Sequence, residues 1–136
     1  MKKDIEIPKV EDVHVAVVKE LNEEKTAEEY NVYLINYKKE SLENVMVSSR
    51  GYGVDLKTNE KIQTSALRHF IGTVEGREFA RIELIMQDLF KLNNEYWVSF
   101  YIDGQIYDKK FVFLAESIKD ENMIDLSVIE KKGVLI

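Results

Sequence analysis

The chain has 136 residues, of which 45% are hydrophobic and 32% are charged, and its formal net charge at pH 7 is −6. We therefore expect a single globular domain spanning residues 1–136. The absence of cysteine excludes a disulfide scaffold, a thiolate nucleophile and a cysteine-ligated zinc site. The acidic balance argues against nucleic-acid binding, because contacts to phosphates require clustered cations.

Targeting and membrane-spanning segments are not predicted. The two lysines near the N-terminus are followed by acidic residues rather than by an apolar run, so we expect no signal peptide. The longest apolar runs, residues 15–18 and 111–115, are far shorter than the roughly 20 residues that cross a bilayer. These features predict a cytoplasmic protein without a membrane partner.

Several segments in the first half of the chain have the pattern of β-strands. Residues 13–18, 30–35 and 42–47 place apolar side chains at alternating positions, which is typical of a strand with one buried face. Residues 51–63 contain two glycines and a polar run, and they are predicted to form a loop. A further strand is expected near residues 64–73.

The segment EFARIELIMQDLFKL, residues 78–92, fits two structures. Its apolar residues recur at helical spacing, but they also alternate with Arg81 and Glu83, which a strand would place together on its exposed face. The neighbouring strands favour a strand that ends near Met86 and is followed by a loop.

The segment YWVSFYIDGQIYDKKFVFL, residues 96–114, predicts a β-hairpin. Two aromatic and β-branched runs flank Asp103-Gly104, which readily takes the positive φ angles of a type I′ turn. The predicted register pairs Ile102 with Gln105, Phe100 with Tyr107, and Val98 with Lys109.

The whole pattern predicts an all-β fold. About seven strands joined mostly by turns favour an antiparallel β-sandwich of immunoglobulin-like type, and a small β-barrel is the alternative. Residues 115–136 are expected to form a C-terminal tail packed on the sandwich, with a last short strand over residues 124–128.

The sequence lacks a recognisable arrangement for catalysis or metal binding. Ser65 and His69 are four residues apart, which on a strand separates them by roughly 13 Å, too far for a hydrogen bond. The two histidines, His14 and His69, do not have metal-ligand spacing. We therefore predict no catalytic residue, no metal site and no cofactor.

One region has the residue types of a binding patch. Arg50 and Tyr52 leave one predicted strand, while Arg68 and His69 belong to the strand predicted near residues 64–73. Arginine forks bind carboxylates, so these four residues are the candidate contact for an acidic partner. The alternative is an ordinary strand in which Arg68 pairs with a neighbouring carboxylate and His69 is half exposed.

The sequence also resembles a known family over nearly its whole length. The similarity lies in the stretches KDIEIPKVEDVHVAVVKE, YNVYLIN, VSSRGYG, TSALRH, ARIELI, LNNEYWVSFYIDGQIYDKKFVF and GVL. They resemble a family of small uncharacterised bacterial proteins that often carry the label phenylalanyl-tRNA synthetase subunit, alpha or beta. The resemblance implies no activity, substrate or catalytic residue.

The synthetase label has one counterpart in the chain. Arg81-Ile82-Glu83 has the letters of the Arg-x-Glu motif with which class II synthetases hold ATP and the amino acid. The glycine-rich arginine motif is absent, and a class II catalytic domain needs a far longer chain. We interpret the label as a transferred name and keep an accessory role beside that synthetase as the alternative.

The favoured prediction is a non-catalytic protein-binding or assembly module. Its partner would be another protein or a second copy of the chain. Self-association through edge strands could use three aromatic residues, Tyr33, Trp97 and Tyr101, if they are exposed. The alternative is that these rings belong to the core of the other sheet.

Overall fold

In the computed structural model the described part of the chain, residues 8–136, forms ten β-strands and two short 3₁₀-helices. The strands are β1 (Val13–Leu21), β2 (Glu28–Asn36), β3 (Leu42–Val54), β4 (Lys61–Gln63), β5 (Leu67–Val74), β6 (Glu78–Leu84), β7 (Asn93–Ile102), β8 (Gln105–Phe113), β9 (Ile124–Leu126) and β10 (Lys131–Leu135). The 3₁₀-helices are Gln87–Leu89 and Asp120–Asn122.

The strands form two antiparallel sheets. The first sheet has the order β6-β2-β1-β10-β9, and the second has the order β4-β3-β7-β8, with β5 beside the first part of β3. The predicted antiparallel sandwich is confirmed. The sheets do not close on each other, so the alternative of a small barrel is wrong for residues 8–136. The immunoglobulin-like connectivity stays a prediction.

The core lies between the two sheets because both present alternating apolar side chains to each other. The largest fully buried side chains of the described chain come from β1, β2, β3, β7 and β8, and most of them lie in this core: Tyr96, Phe100, Phe113, Leu34, Ile35, Leu42, Val13, Val15, Val17, Val18, Val32 and Val45. Ile35 and Val18 belong to a second, smaller cluster on the opposite face of the first sheet. The sandwich therefore buries both faces of β1.

The C-terminal residues are more than a tail packed on the sandwich. β10 lies within the first sheet, where it pairs with β1 on one side and with β9 on the other. Leu126 and Ile129 pack against Ala16 and Val18 on the outer side of that sheet. This cover explains the unbroken apolar run at residues 15–18, whose side chains are buried on both faces.

The β7–β8 hairpin has the predicted register. Ile102 pairs with Gln105, and the pairing continues without interruption to Asn94 and Phe113. Asp103 and Gly104 have φ angles of 48° and 76°, which are the positive values that a type I′ turn requires.

The predicted loop over residues 51–63 is only partly a loop. β3 continues through both glycines to Val54, because Tyr52 pairs with Asn93 of β7 and with Gln63 of β4. The short strand β4 was not expected, since three residues show no clear alternation. Cross-strand pairing on both sides therefore extends β3 beyond its local sequence signal.

The strand predicted at the start of residues 78–92 is present as β6, but Arg81 and Glu83 do not share a face. The pairing of β6 with β2 shifts register at Val32 and Tyr33, so that Glu83 faces Val32 and Arg81 faces Tyr33. A bulge of this kind breaks the two-residue alternation that the prediction assumed. Arg81 thus lies on the outer side of the first sheet, whereas Glu83 points between the sheets.

The described part of the chain, residues 8–136, contains no helix that is long and apolar enough to cross a membrane. The expectation of no signal peptide concerns in part residues 1–7, which lie outside the described residues.

Candidate functional site

Three of the four residues in the predicted patch share the outer face of the second sheet, the face turned away from the first sheet. Arg50 and Tyr52 alternate on β3, and Arg68 lies on β5 opposite Ser48. Arg50 is therefore a diagonal neighbour of Arg68, at a distance that long side chains can span. The guanidinium carbon of Arg50 lies 5.7 Å from the centre of the Tyr52 ring.

A buried carboxylate holds the cations of this face in place. Glu95, only 5% exposed, accepts a hydrogen bond from Arg50 Nε at 3.1 Å and pairs with Lys110 Nζ at 3.7 Å. Lys110 Nζ also lies 5.2 Å from the centre of the Trp97 ring. The two cations are thus partly oriented before any partner arrives.

Six large apolar side chains lie exposed on the same outer face. Five of them lie away from β4, with Val54 beside β4 left out, and we call these five the aromatic face. Their exposed fractions range from 37% to 69%, and the residues are Met46, Phe70, Trp97, Tyr101 and Ile106. Met46 is central, because it pairs with Phe70 on one side and with Ser99, between Trp97 and Tyr101, on the other. Sequence reasoning had noted Trp97 and Tyr101 but had missed the other three.

The charges around the aromatic face differ in sign from those of the whole chain. Four cations and three carboxylates give this outer face a charge of +1, while the chain carries −6: Arg50, Arg68, Lys61 and Lys110 against Glu43, Glu95 and Asp108. Glu95 offsets part of the charge of Arg50 and Lys110, whereas Arg68 and Lys61 make no ion pair with it. Arg68 has no ion pair among residues 8–136.

His69 points away from this face and into the sandwich. It pairs with Val47, a core residue of β3, and its Nε2 lies 2.7 Å from Glu83 Oε1. Neighbouring positions on a strand point to opposite faces, so Arg68 and His69 cannot contact the same partner surface. The predicted patch is therefore divided between two sides of the second sheet.

Glu83 is the centre of a polar cluster that joins the two sheets. It belongs to the first sheet, and its three partners belong to the second. Ser49 Oγ donates to Oε1 at 2.8 Å, and Tyr96 OH donates to Oε2 at 2.9 Å. His69 Nε2 completes the cluster at Oε1. Only the bulge in β6 brings Glu83 here, so the sequence pattern carried no signal for the cluster.

The hydrogen bonds of the Glu83 cluster connect strands of the two sheets. Burial, reinforced by the negative charge and hydrogen bond of Glu83, raises the pKa of Tyr96, which therefore remains a neutral donor. The hydroxyl of Ser49 donates to the carboxylate, and it makes no bond with His69 in the described chain. A cleft of about 260 Å³ beside the cluster is also lined by Thr64 and Ser65.

A second polar cluster lies on the outer side of the first sheet. Glu20 Oε2 accepts hydrogen bonds from Asn31 Nδ2 at 2.9 Å and from Tyr33 OH at 2.5 Å, and Lys131 Nζ donates to Oε1. Arg81 Nε donates to Asn31 Oδ1 at 2.9 Å. Tyr33 is only 9% exposed and belongs to a buried apolar cluster, so it cannot serve as an exposed ring for self-association.

The separation of Arg81 from Glu83 bears on the Arg-x-Glu motif. Arg81 belongs to the Glu20 cluster and Glu83 to the cluster between the sheets, so the two side chains have no ligand position in common. Arg81-Ile82-Glu83 therefore matches the Arg-x-Glu motif in sequence only, because its two charged side chains do not form one site.

Glu20 makes the stability of the fold depend on acid pH. Burial raises its pKa, but hydrogen bonds from Lys131, Tyr33 and Asn31 and the charge of Lys131 outweigh burial and lower the pKa below its ordinary value of 4.5. A carboxyl group with a lowered pKa stabilises the folded state above its unfolded-state pKa and loses that contribution as pH falls through the folded-state pKa. Glu20→Gln should therefore show a shallower loss of unfolding free energy below pH 4.5 in urea titrations. An unchanged pH profile would contradict this role.

Comparisons with protein-family models, with curated proteins and with solved structures found no match for this chain.

Proposed function

We propose that this protein is a non-catalytic binding module that holds an acidic segment of a partner protein against the aromatic face. The observation that carries the proposal is the exposed apolar group on the outer side of the second sheet, with Arg50 and Arg68 beside it. Contiguous apolar surface flanked by polar residues is typical of protein interaction sites.

The residue types of the aromatic face support a protein partner. Tryptophan, tyrosine and arginine contribute most to binding energy at interfaces, because they combine a large contact area with polar or charged groups. Trp97, Tyr101 and both arginines occupy one surface, so a bound segment could bury rings and pair charges together.

The charge of this surface supports an acidic partner. Most of the chain is acidic and would repel an acidic segment, so the positive outer face is where such a segment would approach. Arg68, with no ion pair in the described chain, can offer its guanidinium to a carboxylate in bidentate geometry.

The interior polar residues support a role without catalysis. The carboxylate of Glu83 accepts hydrogen bonds from three side chains of the opposite sheet, and no serine–histidine hydrogen bond forms beside it within residues 8–136. These groups are used to connect the sheets, which leaves the outer face as the surface available for function.

Binding should depend on the aromatic face and much less on His69. We expect Trp97→Ala to lower the affinity for the partner by roughly 30-fold. Arg68→Ala should lower it by about threefold at low salt and by less at high salt. The tagged protein would capture partners from a lysate of the source cell, with proteins and RNA identified. Titration of the purified partner's acidic segment would then give the affinities.

Two matched variants serve as controls for this experiment. His69→Gln alters the residue next to Arg68 but on the inner side, and Leu21→Ala removes an exposed apolar side chain from the first sheet. Both should bind as the unmodified protein does, provided that thermal unfolding shows them folded. Equal binding by Trp97→Ala would overturn the proposal. Recovery of tRNA or synthetase subunits would instead favour the accessory role.

A further inference from the structure

β8 is a long strand at the edge of the second sheet with one side unpaired. Its nine residues pair with β7 without a register shift, and no strand within residues 8–136 pairs with its other side. The other edges are less suitable for pairing. β4 and β9 have three residues each, and the ladders of β5 and β6 are interrupted by register shifts. Long regular edges are the ones that accept another strand.

The turn geometry identifies which backbone groups of β8 point outward. In a hairpin with a two-residue turn, the pair next to the turn, Ile102 with Gln105, exchanges hydrogen bonds, and bonded and non-bonded pairs then alternate. The outward N–H and C=O groups therefore belong to Ile106, Asp108, Lys110 and Val112. In the described structure their one partner on that side is the Gln105 side chain, which donates to the Ile106 carbonyl at 3.1 Å.

We propose that β8 pairs with β8 of a second copy of this chain, antiparallel and with the two-fold axis beside Lys109. This register brings the outward backbone groups of both copies opposite one another. Asp108 then faces Lys110 of the second copy, and the symmetry repeats the pair. A shift by one residue would place the outward N–H and C=O groups of one copy opposite residues whose own groups point back toward β7, so the backbone excludes it. A shift by two residues satisfies the backbone but places Asp108 opposite Asp108 or Lys110 opposite Lys110, so the side chains favour the register with Lys109 on the axis.

The side chains of β8 complement themselves in this register. Each Asp108 faces a lysine, which forms two ion pairs across the interface, and each Ile106 faces Val112 of the other copy. On the inner side of the strand, Tyr107 faces Phe111. A two-fold interface requires self-complementarity of this kind, because each contact between two residues occurs twice, once in each direction.

Lys109 opposes pairing, since it would face Lys109 of the second copy on the axis. Like charges directly opposite each other on neighbouring strands are destabilising. Each Lys109 Nζ lies 4.9 Å from the centre of the Phe111 ring of the same copy. This contact holds the ammonium group over its own chain and away from the axis. The dimer is therefore expected to be weak and concentration-dependent, and neutralising Lys109 should strengthen it.

This dimer goes beyond the proposed function, because it stands whether or not the aromatic face binds a partner. Paired side chains of antiparallel strands lie on the same side, so the two aromatic faces would lie on one side of a continuous sheet and could bind a partner with two segments.

The test exchanges the charges at positions 108 and 110. Analytical ultracentrifugation over a range of protein concentrations measures the dimer dissociation constant of each variant. Asp108→Lys and Lys110→Asp should each weaken the dimer by about tenfold or more, since each variant places like charges at two symmetry-related pairs. The double variant D108K/K110D restores opposite charges, and its dimer dissociation constant should lie within about threefold of that of the unmodified protein. Lys109→Thr should strengthen the dimer several-fold.

A second pair of variants avoids Lys110, which also contacts Glu95. Asp108→Asn removes only the charge, whereas Asp108→Pro also removes an outward N–H that the hairpin does not use. The proline variant should dimerise more weakly than the asparagine variant while unfolding at a similar temperature. A protein that stays monomeric at all concentrations even with Lys109→Thr, or a double exchange no better than either single one, would overturn the proposal.

Discussion

Glu83→Ala is expected to lower the unfolding free energy by about 3 kcal/mol, which for a chain of this length corresponds to a fall of roughly 10 °C in Tm. The carboxylate accepts hydrogen bonds from Ser49, His69 and Tyr96, and these bonds connect the first sheet to the second. Its removal leaves the Tyr96 hydroxyl, on a residue only 1% exposed, without its acceptor. Thermal and urea unfolding would measure the change.

The control for Glu83 lies on the same strand. Glu78 is exposed and makes no side-chain hydrogen bond in the described chain, so Glu78→Ala should change the stability by less than about 0.5 kcal/mol. The double variant E83A/Y96F should cost less than the sum of its single changes, because both remove one shared hydrogen bond. If Glu83→Ala left the unfolding free energy unchanged or raised it, the buried carboxylate would not stabilise the fold. The cluster would then become a candidate acid–base site.

Gly76→Ala is expected to destabilise the protein by roughly 3 kcal/mol through a backbone collision. A Cβ at this position would lie 2.0 Å from the carbonyl oxygen of Lys39 and 2.6 Å from its carbonyl carbon. Gly76 lies in the turn between β5 and β6, which packs on the turn between β2 and β3, where Arg77 N donates to Lys38 O at 2.9 Å. The added methyl group would push apart two turns that connect the sheets.

Gly104→Ala provides the comparison for Gly76. A Cβ at Gly104 would meet open space, but its φ of +76° is strained for alanine, so we expect a cost of about 1 kcal/mol. Urea unfolding of both variants would separate steric contact from backbone strain. Equal effects would show that the Lys39 turn moves freely and that Gly76 is not a close-packing position.

The elements that local patterns describe were predicted well. Asp103-Gly104 is sufficient for a type I′ turn, and the turn fixes the register of the whole β7–β8 hairpin. The strand β4 was missed for the opposite reason. Its three residues are extended because they pair with the far end of β3, and that partner is not apparent in their own sequence.

The candidate site was predicted only in part. Alternation along β3 and β5 was sufficient to place Arg50, Tyr52 and Arg68 on one face, and the same alternation separates His69 from Arg68. The neighbours of Arg68 could not be read from the chain, because Met46 and Trp97 come from strands whose register with β5 is set by distant pairings.

The sequence by itself determined the all-β class and the β7–β8 hairpin, and it favoured an antiparallel sandwich over a small barrel. These follow from two-residue alternation and turn chemistry, which act over a few neighbouring residues. The tertiary structure alone decided which way Glu83 points, that Tyr33 is covered, and which edge strand stays unpaired. Those features depend on a bulge in one ladder, on the cover supplied by residues 126–129, and on the order of strands within each sheet. They result from contacts between segments far apart in the chain. Such contacts cannot be read from the pattern of neighbouring residues.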